Sequence, residues 1–105
     1  MLDEKIKKAV HNYYKIQKVY YKIKKPKKPH IDRYKPFLEQ LDKIGEIDYI
    51  HYCSGKDECI DVYFDDDCIF HVFKDGTCLL VADEKATGGT FSECYKLLKE
   101  KLTNN

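Results

Sequence analysis

Tryptophan is absent from this sequence, methionine and arginine occur once each, and no long run of apolar residues is present. A membrane-spanning helix needs about 20 consecutive apolar residues, so we predict no transmembrane segment. The first ten residues are charged and lack the apolar stretch of a signal peptide, which leads us to expect a cytoplasmic protein. A chain of 105 residues accommodates one hydrophobic core, and residues 1–105 are therefore predicted to form a single domain.

The five cysteines follow neither the spacing of a disulfide framework nor that of a structural zinc site. An odd number of cysteines in a chain without an export signal is typical of reduced, mostly buried thiols. His51-x-Cys53 does place two potential metal ligands on one side of a predicted strand, and Cys59 and His71 can lie nearby. Because the paired ligand spacings of zinc sites are missing, we favour ordinary strand residues and predict no metal and no cofactor. The cysteines are Cys53, Cys59, Cys68, Cys78 and Cys94.

The net charge of +1 conceals a division of the chain into a basic and an acidic part. Residues 1–35 hold twelve Lys and Arg against three Asp and Glu, a balance of +9. Residues 36–105 hold seven against fifteen, a balance of −8. Such asymmetry bears on the choice of binding partner rather than on the fold.

The basic part is predicted to form one long amphipathic helix over residues 1–25. Apolar residues recur there at alternating spacings of four and three, and lysines fill most of the other positions. The prolines that follow disfavour helix, so residues 26–35 are predicted to form an extended, solvated hinge. We expect the helix to pack on the domain, which leaves the protein a monomer or a weak dimer through this helix.

Residues 36–105 are predicted to form an α-ββββ-α core. Pro36 suits the first position of a short second helix, and Gly45 suits its C-terminal cap. Thr90 and Glu93 have the spacing of a capping box, which starts the last helix. The four strands are predicted at 47–53, 58–64, 68–74 and 77–83. The fold class is therefore α+β, with a long N-terminal helix, a short second helix, a four-stranded antiparallel meander and a C-terminal helix.

The turns predict how the strands pair. Asp75-Gly76 favours a two-residue type I′ turn, which places Val72 opposite Leu79. A three-residue loop at 65–67 aligns the preceding pair of strands so that one face of the sheet is apolar and free of charge. The opposite face is also too apolar for full exposure, and the N-terminal helix is its expected cover.

The basic segment is a candidate nucleic-acid interface. Ammonium groups neutralise phosphates, and the interleaved tyrosine rings can stack on unpaired bases. The near absence of arginine weakens the case for bidentate readout of bases or phosphates. The candidate residues are Lys15, Lys18, Lys22, Lys24, Lys25, Lys27, Lys28, Arg33 and Lys35.

The acidic residues of the sheet and its loops are a candidate protein-binding surface. A rigid display of carboxylates suits a basic partner, including the nucleic-acid channel of a nucleoprotein enzyme. Solubility and the preference of turns for Asp are the alternative explanation. The candidate residues are Asp57, Glu58, Asp61, Asp65, Asp66, Asp67, Asp83 and Glu84.

No motif marks the protein as an enzyme, and we predict no catalytic residues. Asp83-Glu84-Lys85 at the end of a strand imitates the carboxylate and lysine arrangement of restriction-type nucleases. The motif is short and common by chance, and an antiparallel meander lacks the parallel continuation of those enzymes. No cysteine lies in a motif that marks it as a nucleophile.

In size, charge division and layout the chain is similar to small phage and mobile-element proteins that inhibit host defence enzymes, including inhibitors of RNA-guided nucleases. This is an analogy of type that no motif carries. It implies a non-catalytic inhibitor that blocks a nucleic-acid-handling host protein through its acidic sheet and loops. The alternative is a nucleic-acid-binding accessory protein that acts through the Lys/Tyr-rich N-terminal segment.

Overall fold

The computed structural model describes residues 1–65 and 67–103. Within these ranges the chain forms three α-helices and one five-stranded antiparallel sheet of strand order β1-β2-β3-β4-β5. The predicted α+β class is confirmed. The elements are α1 (Leu2–Val19), a 3-10 turn (Ile31–Tyr34), α2 (Lys35–Ile44), β1 (Ile47–Cys53), β2 (Cys59–Phe64), β3 (Cys68–Phe73), β4 (Cys78–Ala82), β5 (Lys85–Gly89) and α3 (Phe91–Thr103).

The prediction of four strands is wrong, because β5 adds a fifth beside β4. Ala82 pairs with Lys85, so Asp83 and Glu84 form a two-residue turn in which both residues have positive φ, +53° and +61°. These dihedrals are those of a type I′ turn, which normally selects Asn-Gly or Asp-Gly. The turn lacks glycine and β5 itself has low β-propensity, so neither produced a strand signal in the sequence.

The predicted type I′ turn at Asp75-Gly76 is also wrong. The Phe73 N–H donates to the Thr77 carbonyl at 2.9 Å, which leaves a three-residue loop with Gly76 at φ +91°. This loop shifts the pairing of β3 and β4 by one residue, so that Val72 lies opposite Cys78 rather than Leu79. A one-residue shift exchanges the faces of a whole strand, and Cys78 and Leu80 therefore enter the core in place of Leu79 and Val81.

The pairing of β2 with β3 agrees with the three-residue loop predicted at 65–67. Val62 lies opposite Phe70, and Phe64 lies opposite Cys68, where the loop closes. Asp66, at the centre of the loop, lies outside the described residues. The pairing of β1 with β2 contains an irregularity between Ile47 and Tyr49, of the kind that a β-bulge produces.

Helix α1 ends at Val19 and does not continue to residue 25 as predicted. The backbone turns at Lys22, which has a φ of +54°, and the Ile23 N–H donates to the Gln17 carbonyl at 2.9 Å. The chain then returns to the domain, where the Tyr13 hydroxyl donates to the Lys27 carbonyl at 3.0 Å. In the described part of the chain, no helix combines the length and apolar composition that a membrane span requires.

The three helices of the described chain pack on the same face of the sheet, which we call the helix face. The ring of Tyr13 in α1 contacts that of Tyr52 in β1, and the ring of Phe91 in α3 contacts that of Phe70 in β3. Leu38 of α2 belongs to the same buried cluster and is completely covered. The prediction that α1 covers the second face of the sheet is therefore wrong.

The predicted cap at the N-terminus of α3 is confirmed, whereas the predicted cap at the C-terminus of α2 is not formed as expected. The Glu93 N–H donates to Thr90 Oγ1 at 3.2 Å and the Thr90 N–H donates to Glu93 Oε1 at 3.1 Å, which is the predicted capping box. Gly45 follows α2 in an extended conformation, with φ −170°, and not in a left-handed cap. An added Cβ would lie 2.6 Å from Leu102 Cδ1, so a larger residue at this position would require the Leu102 side chain to move.

We expect Glu84→Gly to stabilise the protein. Left-handed backbone costs a non-glycine residue about 1–2 kcal/mol, whereas the extra freedom of glycine in the unfolded chain costs about 0.5–1 kcal/mol. The net gain is about 0.5–1 kcal/mol, which thermal unfolding detects as a rise of a few degrees in Tm. Gly76→Ala is the matched opposite change and should lower Tm, because φ at this position is +91°. A fall in Tm for Glu84→Gly would contradict the assigned turn.

Candidate functional site

The face of the sheet opposite the helices carries an unusual mixture of side chains, and we call it the open face. None of the three helices described above packs on it, and most of its side chains are half-buried by their neighbours within the sheet. The rings of Tyr49 and Tyr63 stack there with centroids 4.2 Å apart. The open face consists of Tyr49, His51, Cys53, Cys59, Asp61, Tyr63, Ile69, His71, Phe73, Leu79, Val81, Ala86 and Gly88.

Five of these side chains form one polar cluster at the β1 side of the open face, the His/Cys/Asp cluster. His51 lies opposite Asp61, which in turn lies opposite His71 across the next pair of strands. Cys53 lies opposite Cys59, two residues further along β1 and β2. Alternation along each strand keeps all five side chains on one face, so the register of β1, β2 and β3 assembles the cluster.

Asp61 is the centre of the cluster. His71 Nδ1 lies 2.6 Å from Asp61 Oδ1, and His51 Nδ1 lies 3.4 Å from Asp61 Oδ2. The Cys59 thiol donates to Asp61 Oδ1 at 3.5 Å, and Cys53 Sγ lies 3.4 Å from His51 Nδ1. Asp61 is only 8 % exposed, so its carboxylate serves partners within the sheet.

The protonation states of the cluster follow from this geometry. Burial alone would raise the pKa of Asp61, but hydrogen bonds from His51 and His71 hold it well below its usual range. The hydrogen bond to Asp61 raises the pKa of His51. Burial and the Asp61 charge raise the pKa values of Cys53 and Cys59. Both cysteines are therefore held as thiols, which is the opposite of what a nucleophilic cysteine requires.

The predicted acidic residues do not form one surface. In an antiparallel meander alternate turns lie at the same end of the sheet. Asp65 and Asp67 therefore share one end with Asp83 and Glu84, and all four side chains are exposed. Asp57 lies at the other end, where Lys56, Asp57, Lys74 and Asp75 line a groove of about 670 Å³ together with three further residues.

Glu58, also predicted to bind a partner, is buried and performs a structural task. Its carboxylate accepts hydrogen bonds from the hydroxyls of Tyr34 at 2.7 Å and Tyr52 at 2.9 Å, and Arg33 Nη1 lies 3.1 Å away. Burial would raise the pKa of Glu58, but the two tyrosines and the arginine hold it below its usual value. The network joins the 3-10 turn to β1 and β2, and it gives Arg33 a partner within the protein.

The predicted nucleic-acid-binding residues are all exposed, but they are spread over several elements. Lys15 and Lys18 lie on α1, Lys22 to Lys28 follow it, and Lys35 begins α2. The tyrosines predicted to accompany them differ in exposure, and Tyr14 is half-buried. Tyr13 and Tyr34 are buried in the core, whereas Tyr20 and Tyr21 are 76 % and 67 % exposed. The exposed aromatic surface of the basic segment therefore lies around residues 19–25.

A groove of about 420 Å³ connects the basic segment to the His/Cys/Asp cluster. Tyr21 and Ile23 line one side, and His51 and Cys53 of the edge strand β1 line the other.

The Asp83-Glu84-Lys85 sequence, which imitates a nuclease motif, lies at the far edge of the sheet in the β4–β5 turn. Asp83 pairs there with Lys101 at 2.7 Å.

The sequence signal for the cluster was present but incomplete. His51, Cys53, Cys59 and His71 were recognised as potential ligands, whereas Asp61 was assigned to an acidic surface. Only the register of the three strands shows that Asp61 lies between the two histidines. Comparison of the chain with protein-family models, curated proteins and solved structures finds no match.

We expect Glu58→Gln to lower the free energy of unfolding by about 2 kcal/mol at pH 7, because it removes the charge that two hydroxyls and Arg33 stabilise. A carboxylate whose folded pKa is lowered stabilises the fold above its unfolded pKa of 4.5, and this contribution is lost as pH falls. The difference between wild type and variant in urea unfolding should therefore be full at pH 7 and shrink below about pH 4.5.

Glu39→Gln, an exposed change on α2, is the matched control and should alter the stability little at either pH. A difference for Glu58→Gln that stays constant down to pH 3 would contradict the assigned network.

Proposed function

We propose that this protein is a non-catalytic binding protein, an inhibitor of the phage or mobile-element type, that blocks a basic, nucleic-acid-handling host protein such as an RNA-guided nuclease. The binding surface is the acidic end of the sheet together with the adjoining apolar part of the open face. The observation that carries the proposal is the convergence of the β2–β3 and β4–β5 turns, both acidic, at one end of a sheet whose neighbouring face has no helix on it.

Electrostatics supports a basic partner. The two acidic turns are separated by two strand spacings, about 10 Å, which is close to the Debye length at physiological ionic strength. Their carboxylates therefore add to one negative potential instead of acting separately. Asp83 is offset in part by Lys101, whereas Asp65, Asp67 and Glu84 are exposed.

The open face supplies the apolar component that a stable interface needs beside its charges. Ile69 and Val81 lie opposite each other next to the acidic turns, and Tyr63 lies opposite Ile69 on the other side. Tyr49 stacks on Tyr63 and is 42 % exposed. Aromatic side chains of this kind are enriched at the centres of protein interfaces.

Inhibition by this surface is competition for a site. Carboxylates on rigid turns occupy a channel that normally receives phosphates, and the apolar patch fixes the orientation of the complex. Electrostatic attraction mainly accelerates association, so the rate constant for association should fall with added salt. Such a mechanism requires no reactive group.

A second candidate function is nucleic-acid binding through the basic segment. It is favoured by the exposure of Tyr20 and Tyr21 beside Lys18, Lys22 and Lys24, which is the arrangement of a stacking platform in a positive surface. The acidic end of the sheet opposes it only at long range, because salt screens charges beyond about 10 Å.

We expect the triple variant Asp65→Asn, Asp67→Asn, Glu84→Asn to inhibit the target nuclease at least tenfold less than wild type, because it removes three exposed charges from the binding surface. Asparagine tolerates the positive φ at positions 67 and 84, so the fold should be retained. The measurement is cleavage of a target duplex by a panel of purified RNA-guided nucleases, each titrated with wild type and variant.

The matched control is Glu39→Gln, Asp42→Asn, Glu100→Gln, which removes three exposed charges from α2 and α3 and should inhibit as wild type does. Equal inhibition by wild type and the turn variant would exclude the acidic end as the binding surface. Absence of inhibition across the panel would remove RNA-guided nucleases as the target class.

The two candidate functions differ in how binding to nucleic acid depends on salt. If the basic segment binds phosphates, affinity for single-stranded DNA or RNA should fall by about 10³-fold between about 50 mM and 200 mM salt for some six phosphate contacts. Replacement of Lys24, Lys25, Lys27 and Lys28 by Gln should then flatten this dependence. The inhibitor proposal expects no appreciable binding at either salt concentration, and steep salt dependence in the wild type would favour the second function.

A further inference from the structure

We propose that the His/Cys/Asp cluster on the open face binds one zinc ion or a similar divalent transition metal. The ligands are His51 Nδ1, Cys53 Sγ and Asp61 Oδ2, with Cys59 Sγ as the fourth. This inference is independent of the proposed partner, because none of the exposed carboxylates of the acidic turns belongs to the cluster. It also reverses the expectation from the sequence that no metal is bound.

Two pairs of the ligand atoms already have the separations of a tetrahedral metal site. Nitrogen, oxygen and sulfur ligands lie about 2.0–2.3 Å from zinc, so in a tetrahedron they lie about 3.3–3.8 Å from one another. His51 Nδ1 is 3.4 Å from Cys53 Sγ and 3.4 Å from Asp61 Oδ2. Atoms of all three residues lie within 4.8 Å of one another. Small side-chain movements are enough to close the site around an ion.

Cys59 completes the set from the strand opposite Cys53. Its Sγ lies 3.5 Å from Asp61 Oδ1, and it is paired with Cys53 across β1 and β2. Only these two of the five cysteines lie on the open face, and both are half-buried, whereas Cys68, Cys78 and Cys94 are buried in the core. A cation held by His51, Cys53 and Asp61 therefore has a second thiol, that of Cys59, on the neighbouring strand.

The chemistry of the donors selects the class of metal. Two sulfur atoms and one imidazole nitrogen suit Zn²⁺ and related first-row ions, and they do not suit Ca²⁺ or Mg²⁺, which take oxygen ligands. The single carboxylate and two thiolates carry three negative charges when the metal has displaced the thiol protons, so a divalent cation compensates most of the charge. Solvent access is provided through His51, whose side chain is 38 % exposed.

His71 acts on the site through Asp61 and is a positioning residue. Its Nδ1 lies 2.6 Å from Asp61 Oδ1, which leaves Oδ2 directed at His51 and the metal position. A hydrogen-bonded partner of this kind fixes the orientation of a ligating carboxylate, and its loss typically lowers metal affinity 10–100-fold. The cluster therefore contains both ligands and the support that holds one of them in place.

A metal bound here would join the edge strand to the body of the sheet. His51 and Cys53 belong to β1, whereas Cys59 and Asp61 belong to β2. The ion would therefore connect the two strands through two ligands on each. Binding to the folded state alone raises the free energy of unfolding in proportion to the logarithm of the metal concentration. A bound metal should therefore stabilise the open face and the adjoining groove at β1.

The test is titration of the reduced, metal-free protein with Co²⁺, which reports tetrahedral thiolate ligation through intense visible and near-ultraviolet absorption. Wild type should develop these bands with one equivalent of Co²⁺, and Zn²⁺ should bleach them. Cys53→Ser should weaken the thiolate bands, the double variant Cys53→Ser, Cys59→Ser should lose them, and His51→Gln should bind at least tenfold more weakly. His71→Gln should keep the shape of the bands and weaken binding 10–100-fold.

Cys94→Ala is the matched control, since it removes a thiol from the helix face and should leave the cobalt spectrum unchanged. Far-ultraviolet circular dichroism of each metal-free variant establishes that it is folded. As an independent readout, Zn²⁺ at about 100 times its Kd should raise the Tm of wild type by roughly 10 °C and leave that of His51→Gln, Cys53→Ser unchanged. Absence of the bands in wild type, or bands that survive in the double variant Cys53→Ser, Cys59→Ser, would overturn the proposal.

Discussion

Successive side chains of a β-strand point to opposite faces of the sheet, and the three described helices pack against one of those faces. That constraint divides every strand into two sets of residues. On the helix face, rings and branched side chains from all three helices fill one buried cluster. On the open face, none of the three described helices covers the side chains, and hydrogen bonds and ring contacts join several of them to one another. The other properties of the molecule follow from this division.

Apolar packing holds the core on the helix face, and a buried charge lies beside it. Glu58 is the buried carboxylate that joins the 3-10 turn to β1 and β2, through Tyr34, Tyr52 and Arg33. Removing one partner from such a network leaves a buried charge or hydroxyl without compensation, which is costly. The network anchors residues 30–34 to the sheet. It therefore also fixes where the chain that follows α1 returns to the domain.

The open face carries the His/Cys/Asp cluster. Asp61 lies between two histidines, and burial together with the Asp61 charge raises the pKa values of the two thiols beside it. The acidic turns lie at the end of the same sheet but contribute nothing to the cluster. The proposed metal site and the proposed partner surface therefore use separate groups of one surface, and each can be removed without the other.

The sequence was sufficient to predict what local patterns determine. The helical spacing, the Thr90–Glu93 capping box and the β2–β3 pairing each depend on residues close together in the chain, and the structure agrees with them. The β3–β4 register could not be predicted, because Asp75-Gly76 is compatible with a two-residue and a three-residue loop. Strand β5 was missed because its turn places Asp83 and Glu84 at positive φ without a glycine.

Which face a helix covers is a question of tertiary packing that periodicity alone does not answer. The stripe on α1 is apolar enough to pack on either face, and the choice depends on contacts such as that of Tyr13 with Tyr52. Periodicity was equally insufficient to predict the His/Cys/Asp cluster. The five side chains of the cluster come from three strands, so their proximity depends on two registers, and Asp61 looked like one more member of an acidic surface.

The most direct test of the account is the accessibility of neighbouring side chains in β4 to a soluble paramagnetic probe. Leu79 lies on the open face and Leu80 on the helix face, one residue apart. With a gadolinium chelate in solution, the account predicts strong relaxation enhancement for the methyl groups of Leu79 and Val81 and little for those of Leu80. Equal protection of Leu79 and Leu80 would mean that the second face is covered, and it would contradict the arrangement on which both proposals depend.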